Sequence, residues 1–105
     1  MEKRKHKRSH IQLEIELVYP DGERSRLKTS DLSIGGFYVE ATGNKLPELG
    51  TFLMTTFLSV SHKTGTHTIK ARVQRLTHNG IAMTFVDFSL EDLQFLDAIL
   101  SSTSD

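Results

Sequence analysis

The sequence predicts a mainly β protein, a six-stranded antiparallel β-barrel with a C-terminal α-helix. Three observations carry this. Ile11 to Leu17 and Thr68 to Leu76 alternate apolar and polar residues with period two, the mark of strands with one wet face. Turn chemistry recurs at short intervals, at Pro20-Asp21-Gly22, Asp31 to Gly36, Gly43-Asn44 and His78-Asn79-Gly80. Only the end of the chain has helical spacing. Strands followed by one helix do not form βαβ units, so the sheet is antiparallel and curls, with the helix over an apolar opening or face.

Each element has its own justification. Ile11, Leu13, Ile15 and Leu17 face a core while Gln12, Glu14 and Glu16 face water. Pro20 fixes φ, Asp21 bonds its own backbone and Gly22 accepts positive φ, which turns the chain into a second strand over Arg24 to Thr29. Asp31 to Gly36 interrupts with loop residues, and Phe37 to Glu40 resumes as a strand. Thr51 to Val60 is rich in Thr, Phe and Leu and reads as a buried strand. In the fifth strand Ile69, Ala71 and Val73 point in and Lys70, Arg72 and Gln74 point out. Asn79-Gly80 is a strong hairpin signal and returns the chain over Ile81 to Val86. Ser89 with Glu91 and Asp92 in the first turn forms an N-cap, and Leu93, Leu96, Ile99 and Leu100 make the apolar face of the helix. The expected organisation is a basic arm at 1–10, a barrel at 11–88, a helix at 89–100 and a frayed tail at 101–105.

The chain has 105 residues, which is one domain with room for one core. It contains no cysteine, so disulfide scaffolds, thiol nucleophiles and thiolate metal sites are excluded, and a reducing compartment suits it. No apolar run approaches a bilayer span and no signal-peptide core follows the basic start, so the expected location is the cytoplasm, without membrane insertion. Thirteen Lys and Arg balance thirteen Asp and Glu, but the zero averages unlike parts. Lys3, Arg4, Lys5, Lys7 and Arg8 oppose only Glu2 in the first ten residues, whereas residues 87–105 hold acids and no base. A basic head of this kind points to an anionic partner.

Two segments carry candidate chemistry. Arg4 and Arg8 lie four apart, and two guanidinium groups can grip phosphate bidentately and stack on flat rings; a solvated charged tail is the plain alternative. In Asp31-x-Ser33-x-x-Gly36, Asp accepts from a guanine edge, Ser donates to phosphate or base, and Gly permits close backbone approach; a turn or bulge uses the same residues. The five histidines show no metal-ligand spacing, so no metal is expected. Asp31 and Ser33 form no nucleophile–base–orienter set, so no enzyme is expected.

Taken in order, Arg4-x-x-x-Arg8, about two strands, and Asp31-x-Ser33-x-x-Gly36 resemble the PilZ domain family. Ala71-Arg72-Val73-Gln74-Arg75 and Gly80-Ile81-Ala82-Met83-Thr84-Phe85 look like its closing strand pair, and the resemblance covers roughly residues 4–100. It implies a six-stranded barrel that binds cyclic di-GMP, a bacterial second messenger. By resemblance, Arg4 and Arg8 hold phosphates and stack on guanines, and Asp31, Ser33 and Gly36 meet a guanine and its sugar-phosphate. Gly35 shapes the loop, and since the family takes the messenger as a monomer or a stacked dimer, Lys3, with Lys5 and Lys7, adds charge suited to the dimer. Read from the residues, Arg75 either reaches the binding face from the closing hairpin or is a plain exposed strand arginine. The implied protein is a receptor whose arm orders on binding and signals to an effector protein, since no output domain is evident. The competing class is a small barrel that binds single-stranded nucleic acid through the arm, against which stand the absent aromatics of the head and the acidic tail.

Overall fold

A computed structural model describes residues 10–41, 46–58 and 66–102. Six antiparallel strands run in the order β1 (Glu14–Val18), β2 (Arg24–Leu32), β3 (Gly36–Glu40), β4 (Phe52–Phe57), β5 (His67–Thr77) and β6 (Gly80–Phe85), followed by α1 (Leu90–Ser102). They close into a barrel with neighbours β1-β2-β3-β6-β5-β4, the last strand of that series pairing with the first. The fold class is the one the sequence predicts.

Local chemistry explains the first turn. Gly22 sits at φ 92°, its N–H donates to the Tyr19 carbonyl at 2.8 Å, and Asp21 Oδ1 accepts from the Glu23 N–H at 2.9 Å. The second hairpin differs from the expected form. An Asn-Gly turn of type I′ needs positive φ at both central residues. Here the central residues are His78 and Asn79, neither of which has positive φ, and Gly80 already pairs with Thr77. Gly80 is needed for space: a Cβ there would lie 2.1 Å from the Tyr38 hydroxyl oxygen and 2.6 Å from the Val39 carbonyl oxygen.

The barrel interior is aliphatic at its walls and aromatic toward one end. Phe37, Phe57 and Phe85 meet with ring centroids 5.5 to 6.5 Å apart. Helix α1 covers that end: Phe95 packs on Phe57 at 5.3 Å, and Leu96 and Ile99 are buried in the core. Burial of such side chains contributes roughly 2 kcal/mol each. The helix start is fixed by reciprocal bonds, the Asp92 N–H donating to Ser89 Oγ (3.1 Å) and the Ser89 N–H to Asp92 Oδ2 (3.0 Å). Asp92 Oδ1 also accepts from His67 Nε2 at 2.7 Å, and the His67 ring stacks on Phe95 at 4.2 Å. Partial burial pushes the Asp92 carboxyl up, but the bonds from the Ser89 N–H, His67 and the Ser89 hydroxyl together outweigh it and hold the group below the usual carboxylate range. An ionised carboxylate only accepts, so Nε2 carries the proton.

Four elements depart from expectation, the first being β1, which begins at Glu14 rather than Ile11. Strand β4 is half-buried rather than buried: Leu53, Thr55 and Phe57 face in, while Phe52 and Met54 lie on the outer surface. Strand β2 runs on through Asp31 and Leu32. Helix α1 extends through Ser102, past the expected end at 100.

Candidate functional site: the corner between β2 and β3

The Asp31-x-Ser33-x-x-Gly36 segment forms the corner joining β2 to β3. A bulge after Thr29 creates it. Thr29 pairs with Val39 and Asp31 with Tyr38, so Ser30 is an extra residue on β2. Thr29 and Leu32 are buried, and Ser30 and Asp31 are both left half-exposed between them. Asp31 therefore lies on the outer face, beside Tyr38.

Ser33 turns the corner and is only 4% exposed. Its N–H donates to the Gly36 carbonyl at 2.9 Å, its Oγ accepts from the Gly35 N–H at 3.1 Å, and its hydroxyl donates back to the Gly36 carbonyl at 3.4 Å. The hydroxyl braces the loop, bonded to its own backbone at Gly35 and Gly36. Gly35 is held from the other side, its carbonyl accepting from the Phe85 N–H at 3.0 Å. Gly36 is buried, and a Cβ there would lie 2.0 Å from the Met83 carbonyl oxygen. Contact with β6, a backbone group that cannot swing aside, is what excludes a side chain at Gly36.

Arg75 occupies the same level of the sheet. Asp31, Tyr38, Ala82 and Arg75 are successive register partners across β2, β3, β6 and β5. A second bulge, at Gln74, turns both Gln74 and Arg75 outward. Three strand spacings separate Asp31 from Arg75, roughly 14 Å along the sheet, so the two share a row without touching. Tyr38 lies between them. Its hydroxyl shares a 2.8 Å hydrogen bond with Thr77 Oγ1 and donates to Asn79 Oδ1 at 3.2 Å, which fixes the ring across the outer face.

Sequence reasoning missed Thr29. Its hydroxyl is buried, donates to the Ile11 carbonyl at 2.5 Å and accepts from the Leu13 N–H at 3.0 Å; its own N–H donates to the Leu13 carbonyl at 2.9 Å. These bonds fasten residues 11–13, which precede β1, alongside β2 two residues before Asp31. The signal was a Thr at an inward position of the second strand, legible only once the pairing is known. A groove of about 310 Å³ lined by Gln12, Lys28, Thr29, Ser30 and Glu40 opens beside the bulge. Lys3, Arg4 and Arg8 lie outside the described residues. Among the described residues no three His, Asp or Glu side chains gather as a metal site, and no helix is long and apolar enough to cross a membrane.

A family model for the PilZ domain matches residues 2–102. No curated protein matches the chain. Among solved structures, the Bacillus subtilis inhibitor of motility (MotI/DgrA) is similar with a TM-score of 0.75 at 18% identity, over 97% of this chain and 50% of that one. The chain thus spans half the length of that protein. The PilZ domain of CeSA from a cellulose-synthesizing bacterium matches with a TM-score of 0.74 at 16% identity, over 93% of this chain and 99% of the other. The PilZ domain of Escherichia coli YcgR, solved with c-di-GMP, matches with a TM-score of 0.73 at 16% identity, over 95% and 91% of the two chains. At these identities the likeness is one of fold.

Proposed function

The chain belongs to the PilZ domain family, and from that premise we propose that it is a cyclic di-GMP receptor that signals by fixing its basic arm against the barrel. The observation that carries this reading is the position of the arm's root. Thr29 fastens Ile11 two residues from Asp31 on the same strand. Three residues of chain, at most about 11 Å, separate Ile11 from Arg8, so covalent geometry lets the Arg8 guanidinium reach the Asp31 corner.

The chemistry then divides cleanly. The ligand has two phosphates and two flat guanines. Arg4 and Arg8 supply bidentate contacts to phosphate and planar surfaces for stacking. Asp31 is an acceptor for the N–H edge of guanine, and Ser33 with Gly35 and Gly36 holds that carboxylate at a rigid corner. With Lys3, Lys5 and Lys7 the arm carries enough charge for a second, stacked ligand molecule. Five bases in eight residues repel one another, so an anion between them favours one arrangement of the arm. Ligand shifts that equilibrium because only the folded-back arm provides the clamp. The resulting surface is read by an effector protein; the role is that of a receptor and adaptor in the bacterial cytoplasm, without catalysis.

Calorimetric titration with cyclic di-GMP, with GTP as control, tests the proposal and gives the stoichiometry. Arg8→Ala and Asp31→Ala are expected to abolish binding while the circular dichroism spectrum is unchanged. Full affinity in either variant overturns the site assignment. Binding to a mixed-sequence oligonucleotide that falls steeply with salt, without cyclic di-GMP binding, would favour the single-strand reading instead.

A further inference from the structure

The outer face on the far side of the barrel from β3 has a distinctive composition. On β4, Phe52 is 50% and Met54 40% exposed. The register sets Val18 of β1 beside Met54, Lys70 of β5 on its other side, and Arg72 beside Phe52. Arg24 and Arg26 of β2 continue the rows past Val18 and Glu16. The face is an apolar centre with cations on both flanks. Glu16, its internal carboxylate, is taken by Arg24 at 3.1 Å, and Lys70 has Asp87 at 3.4 Å, while Arg26 and Arg72 make no ion pair among the described residues.

The same chain carries the complement. Leu90, Glu91, Gln94, Asp97, Ala98 and Ser101 are the exposed residues of α1 and recur at helical spacing. That stripe has two carboxylates, a leucine 68% exposed, and no base anywhere in residues 87–105. Helix and face share strand β5: α1 is anchored through Asp92 to its first residue, His67, and the face begins three residues further along, at Lys70.

We infer that the β2-β1-β4-β5 outer face docks the acidic outer stripe of α1 from a second copy of this chain. Charge complementarity selects this occupant: apolar residues with carboxylates meet apolar residues with guanidinium and ammonium groups. Because every copy carries both surfaces, a two-fold axis can satisfy both at once, each copy giving its helix and receiving the other's. Nucleic acid fits the face poorly. Phe52 is the one aromatic ring in these rows, and Lys70 Nζ lies 5.2 Å from its centroid, where a base would stack.

Sedimentation equilibrium of the full chain tests this. The expected result is a weak dimer, with a dissociation constant on the order of 100 µM at low salt, rising at least about tenfold between about 0.05 and 0.5 M salt. Arg24→Glu with Arg72→Glu, and separately Glu91→Lys with Asp97→Lys, should each give a monomer of unchanged circular dichroism. An equimolar mixture of those two double variants should associate again, because both contacts regain opposite charges. Adding Met54→Ser to both variants should abolish that association; general attraction between oppositely charged proteins would survive it. A wild-type chain monomeric at low salt and about 1 mM overturns the inference, as does an unaffected dimer in both charge-reversed variants. So does binding of the monomer to vesicles of phosphatidylserine without self-association, which would assign the face to a membrane.

Discussion

Replacing Thr29 by Val separates the anchoring of the arm from the integrity of the barrel. Val keeps the volume and the β-branch but removes one oxygen, and with it two hydrogen bonds, to the Ile11 carbonyl and from the Leu13 N–H. A hydrogen bond of this kind contributes about 1 kcal/mol net, so the pair is worth about 2 kcal/mol. The full penalty for two orphaned polar groups would be larger, but it need not be paid. Residues 11–13 lie outside the β1 ladder and can peel away to water, giving up the burial of Ile11, the packing of Leu13 and the bond from the Thr29 N–H to the Leu13 carbonyl. The loss therefore falls on the local equilibrium between fastened and released root. About 2 kcal/mol shifts that equilibrium about thirtyfold. Urea unfolding should show a fall of no more than about 2 kcal/mol, and hydrogen exchange at the Leu13 amide should accelerate by about the same thirtyfold. Cyclic di-GMP affinity should fall between about threefold and thirtyfold, according to how much of the released form is populated. Loss of stability with unchanged affinity would refute the argument that the root positions the arm. Unchanged exchange at Leu13 would refute the bonds themselves.

Other expectations follow from single residues. Gly36→Ala forces a Cβ against the Met83 carbonyl, so it should destabilise the barrel by about 3 kcal/mol or more in urea unfolding; wild-type stability would mean the strands can part there at no cost. Ser33→Ala releases the Gly35 N–H, and should cost about 1 kcal/mol of stability and weaken ligand binding about tenfold without abolishing it, measured by calorimetry. Asp92 is held below its ordinary pKa in the folded state, so its contribution is complete above about pH 4 and is lost as pH falls through the lower folded value. Asp92→Asn should accordingly lower stability by about 1 kcal/mol at neutral pH and converge with wild type in acid, followed by thermal melts across pH. A constant difference down to strongly acidic pH would contradict it.

Period-two alternation and turn residues made the strands legible, because each strand has one face in the core and the other in water. The alternation of Ile11 and Leu13 is genuine, yet the ladder begins only at Glu14, since Thr29 holds the preceding backbone with its side chain. Alternation fails where a bulge inserts a residue. It set Gln74 outward, and the bulge there turns Arg75 out as well, as the bulge at Ser30 puts Asp31 on the outer face. Composition misjudged β4 for a related reason: Phe52 and Met54 are apolar but sit on the outer phase of the strand. At the corner, residue types were readable and their duties were not. Whether a serine donates to a ligand or to its own loop depends on a carbonyl three residues away, and whether a glycine admits a ligand or a neighbouring strand depends on β6.

Pairing of β1 with β4 has a consequence for how any protein can recognise this one. Every described strand has a neighbour on both sides along much of its length, so among the described residues no strand presents a whole free edge of backbone N–H and C=O groups onto which a partner strand could zip. Recognition has to proceed through side chains on a convex surface. Backbone pairing is indifferent to much of the sequence; side-chain recognition is not. Partner choice in such a barrel can therefore be rewritten by a few outward-facing substitutions that leave the core, and the corner between β2 and β3, untouched.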